Sequence, residues 1–249
     1  MKLKETFSTI AHQYDQSRVD YPPTVFRDII KYVKLTKKDP ILEIGIGTGK
    51  ATYPFARLKN PILANDISPA LVKVAKLKLK KYPNVKYIIG QFENINLPKN
   101  NFKLIFSAQT FHWITSSFRF TKPARLLKEN GVLALFWNAH YYNKGVGKMA
   151  IILHNKYSRA KGGKADVIIS KLLKHKLFTD GFSKEYPFIT RQTKQQYINL
   201  QTSYSWYLAL SKKRKIKTLA ELKQKLKKYP ATMKVPMRTK LVLARKKIQ

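Results

Sequence analysis

The segment ILEIGIGTGKAT, from Ile41 to Thr52, constrains the fold more than any other part of the chain. Its apolar start, followed by Gly45, Gly47 and Gly49, predicts a buried strand that turns tightly into a helix. Turns of this kind bind nicotinamide dinucleotides, nucleotide phosphates and S-adenosylmethionine alike. The residues around the glycines must therefore decide between these ligands.

Their spacing argues against two of the three ligands. A phosphate-binding P-loop has four residues between its glycines and ends in Gly-Lys-Ser/Thr, which this segment does not. A dinucleotide site has a glycine where this chain has Lys50, because helix and strand pack closely there. Glu43, at the end of the strand, would repel a pyrophosphate. It would favour the cationic amino and sulfonium groups of S-adenosylmethionine.

Strand-like and helix-like segments alternate along the chain, which predicts an α/β fold with a Rossmann-like, doubly wound sheet. Ser68 is predicted to cap a helix that has Pro69 at its first position. The turn KENG is expected to end a later helix, and helical stretches are predicted at 194–210 and 211–229. The predicted strands are PILEIG, PILAND, VKYIIGQF, FKLIFSAQ, GVLALFW, SKEYPFITR and MKVPMRTKLVLARKK.

Three predicted strand ends carry residues that suit one cofactor. Asp66, at the end of the second strand, can accept hydrogen bonds from both ribose hydroxyls, and Ile67 can pack on the adenine ring. Gln91 and the backbone of Phe92, after the third strand, can read the adenine edge. Because parallel strands end at the same edge of a sheet, these residues and Glu43 predict an S-adenosylmethionine site.

The same segments carry a family resemblance between Phe7 and Asn138. The sequences FSTIAHQYDQSRVDYPP, ILEIGIGTGKAT, NDISPALVKVAK, GQFENINLP, FSAQTFHW and ARLLKENGVLALFW resemble class I S-adenosylmethionine-dependent methyltransferases of the methyltransferase-11 type. The likeness extends to the trans-aconitate methyltransferase-like subgroup through YINLQTSYSWYLAL and KVPMRTKLVLARKK. It implies a seven-stranded sheet whose last strand is antiparallel. Gln109, in the matching segment FSAQTFHW, joins the cofactor-binding candidates.

The sequence, which has no internal repeat and no low-complexity linker, also predicts how the chain is organised. We expect a single methyltransferase domain over 1–249, with a cofactor-binding core at 1–138. Largely helical insertions at 139–230 would form a substrate cap, and 231–249 would supply the final strand. Two residues depart from the family pattern: Ile46 replaces a small residue or cysteine, and Gln91 stands where aspartate is frequent. The amide oxygen of Gln91 can still accept a hydrogen bond from the adenine amino group.

The segment AQTFHW after the fourth strand bears on the methyl acceptor. Enzymes that methylate base or glutamine amines carry Asn/Asp-Pro-Pro-Tyr/Phe there, and carbon-5 pyrimidine methylation needs a cysteine, which this chain lacks. In related carboxyl methyltransferases, the tryptophan of a similar HW pair helps to hold the acceptor carboxylate. Trp113 is therefore a substrate candidate, and a role as a core residue is an equally favoured alternative. His112 is a candidate general base, although a structural imidazole is more frequent.

The motif YDQSR places two further substrate candidates, Tyr14 and Arg18, before the core. They could merely tie the N-terminal segment to the sheet. Alternatively, that segment folds over the cofactor, and Arg18 pairs with a carboxylate of cofactor or substrate. The resemblance favours the second interpretation. His140, Tyr141 and Tyr142 follow the fifth strand and are weaker candidates.

The chain is strongly basic, with 50 Lys+Arg against 13 Asp+Glu and a formal net charge of +37. Such a charge predicts non-specific polyanion or RNA binding. The basic residues are spread along the chain and no RNA-binding motif accompanies them, so a generic basic surface is the favoured interpretation. The start MKLKETFSTIAHQYD lacks the apolar stretch of a signal peptide, which predicts a cytoplasmic protein without a membrane partner.

Together these patterns predict methyl transfer from S-adenosylmethionine to a small molecule, at a carboxylate or hydroxyl oxygen. A carboxylate acceptor would need no general base, and no metal ligands are predicted. Two alternatives stay open from the sequence. One is an RNA methyltransferase recruited by the basic surface, and the other is a cofactor-binding module without catalysis.

Overall fold

The computed structural model describes residues 15–141, 145–157 and 164–248. These residues divide into two compact units. The core unit comprises 20–137, 164–186 and 239–248, and the helical unit comprises 15–19, 138–141, 145–157 and 187–238. The predicted single-domain organisation, with boundaries at 138 and 230, stays a prediction.

Within the described residues, seven strands form one sheet in the order β3-β2-β1-β4-β5-β7-β6. The first five strands pair in parallel, and the last strand runs antiparallel, which confirms the predicted Rossmann-like α/β fold. The strands β2 and β3 lie on one side of β1, and β4 and β5 lie on the other, so the strand order reverses at β1. The carboxyl ends of β1, β2 and β4 therefore border the switch point, where such folds bind ligands. The strands are β1 Ile41–Ile44, β2 Ile62–Asp66, β3 Val85–Ile89, β4 Phe102–Ala108, β5 Leu127–His140, β6 Phe178–Thr193 and β7 Thr232–Lys246.

Helices connect the strands wherever the sequence predicts them within the described residues. Ser68 caps α3 by accepting a hydrogen bond from the Leu71 N–H at 3.3 Å, which confirms the predicted cap. Thr193 and Gln196 form a reciprocal capping box at the start of α7. The helices are α1 Pro23–Val33, α2 Thr52–Ala56, α3 Pro69–Lys78, α4 Thr121–Leu126, α5 Gly145–Tyr157, α6 Lys164–Leu173, α7 Lys194–Thr202, α8 Ser205–Leu208 and α9 Lys212–Leu226.

The structure corrects two local predictions. The KENG segment does not separate α4 from the next strand, because β5 begins at Leu127 directly after α4. Asn130 adopts a left-handed φ of 56°, and the β4–β5 register shifts between Phe102 and Leu104, so the segment forms an irregularity within the strand. The helical stretch predicted at 194–210 is divided into α7 and α8 around Ser203.

Successive apolar side chains along the strands point to opposite faces of the sheet, and they form two separate apolar cores in the core unit. In β4, Leu104 and Phe106 pack with α1, α2 and α3, whereas Ile105 packs with α4 and α6. Because both faces of these parallel strands carry apolar side chains, both faces of the sheet are covered by helices. The helical unit has its own cluster, which includes Tyr197 and Leu222. Among the described residues, no helix has the length and apolar character needed to cross a bilayer.

Candidate functional site

The glycine turn after β1 is held in an unusual backbone conformation. Gly45 has a φ of +78°, and an added Cβ would lie 2.4 Å from the Cγ2 of Thr110. Only glycine combines that conformation with so close a neighbour. Gly47 has a φ of +56°, but an added Cβ there would meet nothing within 4 Å. The turn therefore packs tightly at Gly45 and faces open space at Gly47, while Gly49, with a φ of +83°, packs towards Leu79.

Asn65 holds the strand ends beside this turn together. Its carbonyl accepts hydrogen bonds from the N–H groups of Gly45 at 2.8 Å and Ile46 at 2.9 Å. Its side-chain amide donates to the carbonyls of Gly90 at 2.8 Å and Ile88 at 3.3 Å. One buried asparagine thus connects the segments that follow β1 and β3. Asn65 was not predicted from the sequence, although a polar residue within the apolar strand PILAND was a visible signal.

Asp66 lies at the end of β2, where the sequence predicts the ribose ligand. One carboxylate oxygen accepts a hydrogen bond from the Gly47 N–H at 2.8 Å, and the other accepts from the Ser68 N–H at 2.9 Å. Burial raises the pKa of Asp66 above its usual range, and the N–H donors of Ser68 and Gly47 oppose that rise. Each oxygen retains acceptor capacity, because a carboxylate oxygen has two lone pairs. Asp66 therefore both holds the glycine turn and can bind hydroxyl groups.

Glu43 is fully buried in β1, and its carboxylate is only half satisfied. Its Oε2 accepts a hydrogen bond from the Thr52 hydroxyl at 2.6 Å. Its Oε1 is buried and has no hydrogen-bond partner among the residues that the structure describes. Burial raises the pKa of Glu43 to about 8, with a smaller upward contribution from Asp66 and a downward one from Thr52. An unpaired buried acceptor of this kind suits a cationic group.

These features fit S-adenosylmethionine and not a phosphate ligand. The free oxygen of Glu43 suits an ammonium group, and Asp66 suits two ribose hydroxyls. The open space at Gly47 lets a ligand approach the backbone closely. A cation would favour the charged form of these buried carboxyl groups, whereas that charged form would repel a pyrophosphate. The donor and acceptor set therefore matches the predicted cofactor.

The segment after β3, for which the sequence predicts adenine reading, forms a turn, and its role in reading adenine stays a prediction. The Gln91 carbonyl accepts hydrogen bonds from the N–H groups of Asn94 at 2.9 Å and Ile95 at 3.3 Å. The Phe92 ring is buried, whereas the Phe92 N–H makes no hydrogen bond within the described part of the chain. Ile67 and Gln91 are half-buried, so their side chains can contact a ligand. The buried ammonium group of Lys122 also binds this turn, and Lys122 was not predicted from the sequence.

The segment after β4 forms a short 3-10 turn, Phe111–Trp113. Gln109, before it, has a left-handed φ of 64°, which is uncommon for a residue other than glycine and marks local strain. Phe111 is fully buried, whereas His112 and Trp113 are half-buried with ring centroids 5.0 Å apart. The turn therefore anchors itself through Phe111 and leaves part of the two candidate side chains accessible.

In the helical unit, Arg18 is held by the junction between α7 and α8. Its guanidinium donates a hydrogen bond to the Ser203 carbonyl at 2.8 Å and lies 4.6 Å from the centre of the Tyr204 ring. These contacts fix the guanidinium by a hydrogen bond and a cation–π interaction. The substrate role of Arg18 stays a prediction. Tyr14, the other candidate of the YDQSR motif, lies outside the described residues.

His140, at the end of β5, is fully buried in the same unit. Its Nε2 lies 2.8 Å from the amide nitrogen of Gln201, and burial lowers its pKa to about 4. The Gln201 amide nitrogen can only donate, so Nε2 accepts and the proton of the neutral ring lies on Nδ1. His140 is therefore neutral at physiological pH and is unsuited to act as a cation there.

Comparison with known proteins gives a consistent result. The family model described as a methyltransferase domain matches residues 42–135. An uncharacterized methyltransferase of Schizosaccharomyces pombe is 34% identical over 137 residues, which are 55% of this chain and 53% of that protein. An uncharacterized methyltransferase-like protein of the same organism is 30% identical over 233 residues, covering 91% of this chain and 88% of that protein.

Two further matches concern the core and the fold. Malonyl-[acyl-carrier protein] O-methyltransferase 1 of Ilyobacter polytropus is 38% identical over 130 residues, which are 49% of this chain and 47% of that protein. Its match and the first Schizosaccharomyces pombe match thus span about half of those relatives' lengths. The crystal structure of the YcgJ protein of Bacillus subtilis superposes with a TM-score of 0.60 at 15% identity, covering 91% of this chain and 99% of that chain.

Proposed function

Because the chain belongs to the class I S-adenosylmethionine-dependent methyltransferases, we propose that it methylates a small molecule at a carboxylate or hydroxyl oxygen. The observation that carries the proposal is the Phe111–Trp113 turn at the end of β4. Trp113 is half-buried there, and its indole N–H can donate to one acceptor oxygen. The relative from Ilyobacter polytropus is, by its name, an O-methyltransferase.

The cofactor supplies a methyl group that is already activated by the positive sulfur. We propose that Glu43 pairs with its amino group, that Asp66 binds its ribose, and that Gln91 and the Phe92 N–H bind its adenine. The turn of Gly45, Gly47 and Gly49 would lie against its methionine portion, and Ile67 against its ring. Gln109 is proposed as a further cofactor contact. Since the methyl group is activated, positioning the acceptor in a dry site can provide much of the catalysis.

We propose a carboxylate as the preferred acceptor. A carboxylate is already deprotonated at neutral pH, so it requires no general base. His112 is the candidate base for a hydroxyl acceptor. Arg18 is a separate candidate for pairing with an anionic group, because an arginine fork matches a carboxylate.

The test uses S-adenosylmethionine with a labelled methyl group. The purified protein is incubated with small-molecule and RNA fractions of a cell extract, and label transfer is measured in each fraction. Asp66→Ala is the matched control for contaminating activities. We expect label in the small-molecule fraction, released as volatile methanol by mild base, because methyl esters hydrolyse there and ethers or methylamines do not. Base-stable label on an oxygen would select a hydroxyl acceptor.

RNA is the second candidate acceptor, favoured by the net charge of +37. Label that appears only in the RNA fraction, at physiological salt, would replace the small-molecule proposal. Label on nitrogen in either fraction would contradict the oxygen acceptor. Trp113→Phe retains the aromatic bulk and removes the indole donor, so unchanged turnover in that variant would remove Trp113 from the acceptor site.

A further inference from the structure

Lys122, in the first turn of α4, is buried against the segment that follows β3. Its ammonium group donates hydrogen bonds to the carbonyls of Phe92 at 2.6 Å, Glu93 at 3.0 Å and Ile95 at 2.6 Å. These three bonds use all three protons of the ammonium group. The ammonium also lies 5.0 Å from the centre of the Phe92 ring.

A buried lysine bound only to neutral carbonyls is an uncommon arrangement. Only 5% of Lys122 is exposed, and it forms no ion pair within the residues that the structure describes. Removing an ammonium group from water is costly unless its hydrogen bonds are replaced, and here three carbonyls replace them. Burial lowers the pKa of Lys122 below its usual range, which reflects that cost. An apolar residue would fill the same space without the cost but would leave the three carbonyls unpaired.

The bonds to Lys122 determine how the turn presents its backbone. The Gln91 carbonyl points into the turn, where it accepts from Asn94 and Ile95. The Phe92 N–H shares a planar peptide with that carbonyl and therefore points the opposite way. Lys122 draws the next carbonyls, of Phe92, Glu93 and Ile95, towards α4. The turn is thus held from one side, and the Phe92 N–H stays available on the other.

A second contact holds the same turn. The Glu93 carboxylate accepts hydrogen bonds from the Thr115 N–H at 2.8 Å and the Thr115 hydroxyl at 3.0 Å. Thr115 follows the turn that carries Trp113. The segments after β3 and β4 are therefore tied together by Glu93 and by Lys122, and not by the sheet alone.

We propose that Lys122 is a positioning residue that holds the turn Gln91–Ile95 in the conformation that reads the adenine of the cofactor. The inference rests on the proposed function, because that turn is the proposed adenine site. Lys122 itself does not touch the ligand. Its loss lets the three carbonyls turn towards water and moves the Phe92 N–H out of position.

The experiment compares Lys122→Met with Lys240→Met. Lys240 is a matched control, because it is a mostly buried lysine of the core unit that pairs with Asp166 and Glu185. The probes are S-adenosylhomocysteine and S-inosylhomocysteine, which carries an oxygen in place of the adenine amino group. Isothermal titration calorimetry gives both affinities for each protein, and the ratio of the two reports how strictly the adenine edge is read.

We expect Lys122→Met to lose about tenfold in S-adenosylhomocysteine affinity, the effect of one lost hydrogen bond. Its loss in S-inosylhomocysteine affinity should be smaller, so the preference for adenine falls. Lys240→Met should retain the wild-type preference. A purely structural role would lower both affinities equally, and that result overturns the proposal. An unchanged preference in Lys122→Met overturns it too.

Two further outcomes separate this inference from the proposed function. Wild-type protein that binds neither probe would reject the cofactor site itself. Wild-type protein that binds both probes equally would reject adenine reading by this turn, and with it the role of Lys122. If Lys122→Met does not fold, Lys122→Gln retains two of the three donors, and the same ratio is measured on that variant.

Discussion

The Thr52 hydroxyl donates a hydrogen bond of 2.6 Å to one oxygen of Glu43, and the other oxygen, also buried, has no such partner among the described residues. Burial raises the pKa of Glu43 to about 8, so the carboxyl group is largely protonated at neutral pH. A cation placed at the free oxygen would favour the charged form. Cofactor binding and proton loss at Glu43 should therefore be coupled.

We predict that S-adenosylhomocysteine binding releases a proton near pH 7. The pKa of Glu43 should fall when the ligand amino group arrives, so affinity should increase as pH rises towards 8. Calorimetry at one pH, in two buffers of different ionisation enthalpy, measures the protons released. Glu43→Gln cannot titrate, and release should disappear in that variant. Equal release from both proteins would place the titrating group elsewhere.

Glu43 should also make stability depend on pH in the absence of ligand. Its pKa is about 8 in the folded state, against 4.5 as the ordinary value, so the folded state binds the additional proton in this window. The stabilising contribution is complete below pH 4.5 and is lost as pH rises through 8. Urea unfolding of wild type and Glu43→Gln measures the difference. The free energy of unfolding of wild type, minus that of Glu43→Gln, should rise as pH falls from 8 to 4.5. A value that does not change with pH would contradict this prediction.

Gly45→Ala and Gly47→Ala should separate stability from binding. Gly45→Ala combines a left-handed φ with a clash against Thr110 and should cost about 2–4 kcal/mol in the free energy of unfolding. Gly47→Ala meets open space and should cost only about 1 kcal/mol, from its φ alone. Its added methyl group would occupy the space proposed for the cofactor, so Gly47→Ala should weaken S-adenosylhomocysteine binding although it costs little stability. Equal stability losses would contradict this distinction.

Asp66→Ala should reduce S-adenosylhomocysteine affinity by about 1–3 kcal/mol, because charge-assisted hydrogen bonds to the ribose are lost. The variant also removes the acceptor of the Gly47 N–H, so the glycine turn loses a support. Calorimetry on folded variant protein gives the affinity. Ser68→Ala serves as a control, since it removes the cap of α3 but no cofactor ligand. Equal affinity in wild type and Asp66→Ala would remove Asp66 from the site.

RNA binding should be weak and indifferent to sequence. The formal net charge of +37 attracts polyanions, and counterion release makes such binding fall steeply as salt increases. Fluorescence anisotropy with two unrelated RNAs at low and physiological salt measures both properties. Tight binding to only one structured RNA at physiological salt would favour an RNA substrate.

Much of the fold was predictable because its signals are local. The apolar runs of the strands, the glycines after β1 and the Ser68-Pro69 helix start each specify backbone geometry within a few residues. The alternation of strands and helices predicts a mostly parallel sheet, and the family resemblance implies its seven strands and the antiparallel last one. KENG was misread because Asn130 adopts its left-handed conformation inside β5 and not in a separate turn.

The residues that shape the site were harder to predict. Asn65 and Lys122 act through hydrogen bonds to carbonyls that lie more than twenty positions away in sequence. No spacing rule relates such partners, because their proximity depends on the register of β2 with β3 and on where α4 begins. The acids proposed to bind the cofactor, Glu43 and Asp66, were visible in the sequence, whereas the groups that position the backbone became visible only in three dimensions.

The bonds of Asn65 have a kinetic consequence. The Asn65 carbonyl accepts from Gly45 and Ile46, and the Asn65 amide donates to Ile88 and Gly90. These bonds lie within the protein, so they hold the backbone around the glycine turn without help from a ligand. A preorganised receptor loses little conformational entropy on association. The turn itself should therefore add no slow step to association, so its presence alone should not cause the observed association rate to reach a plateau as ligand concentration rises.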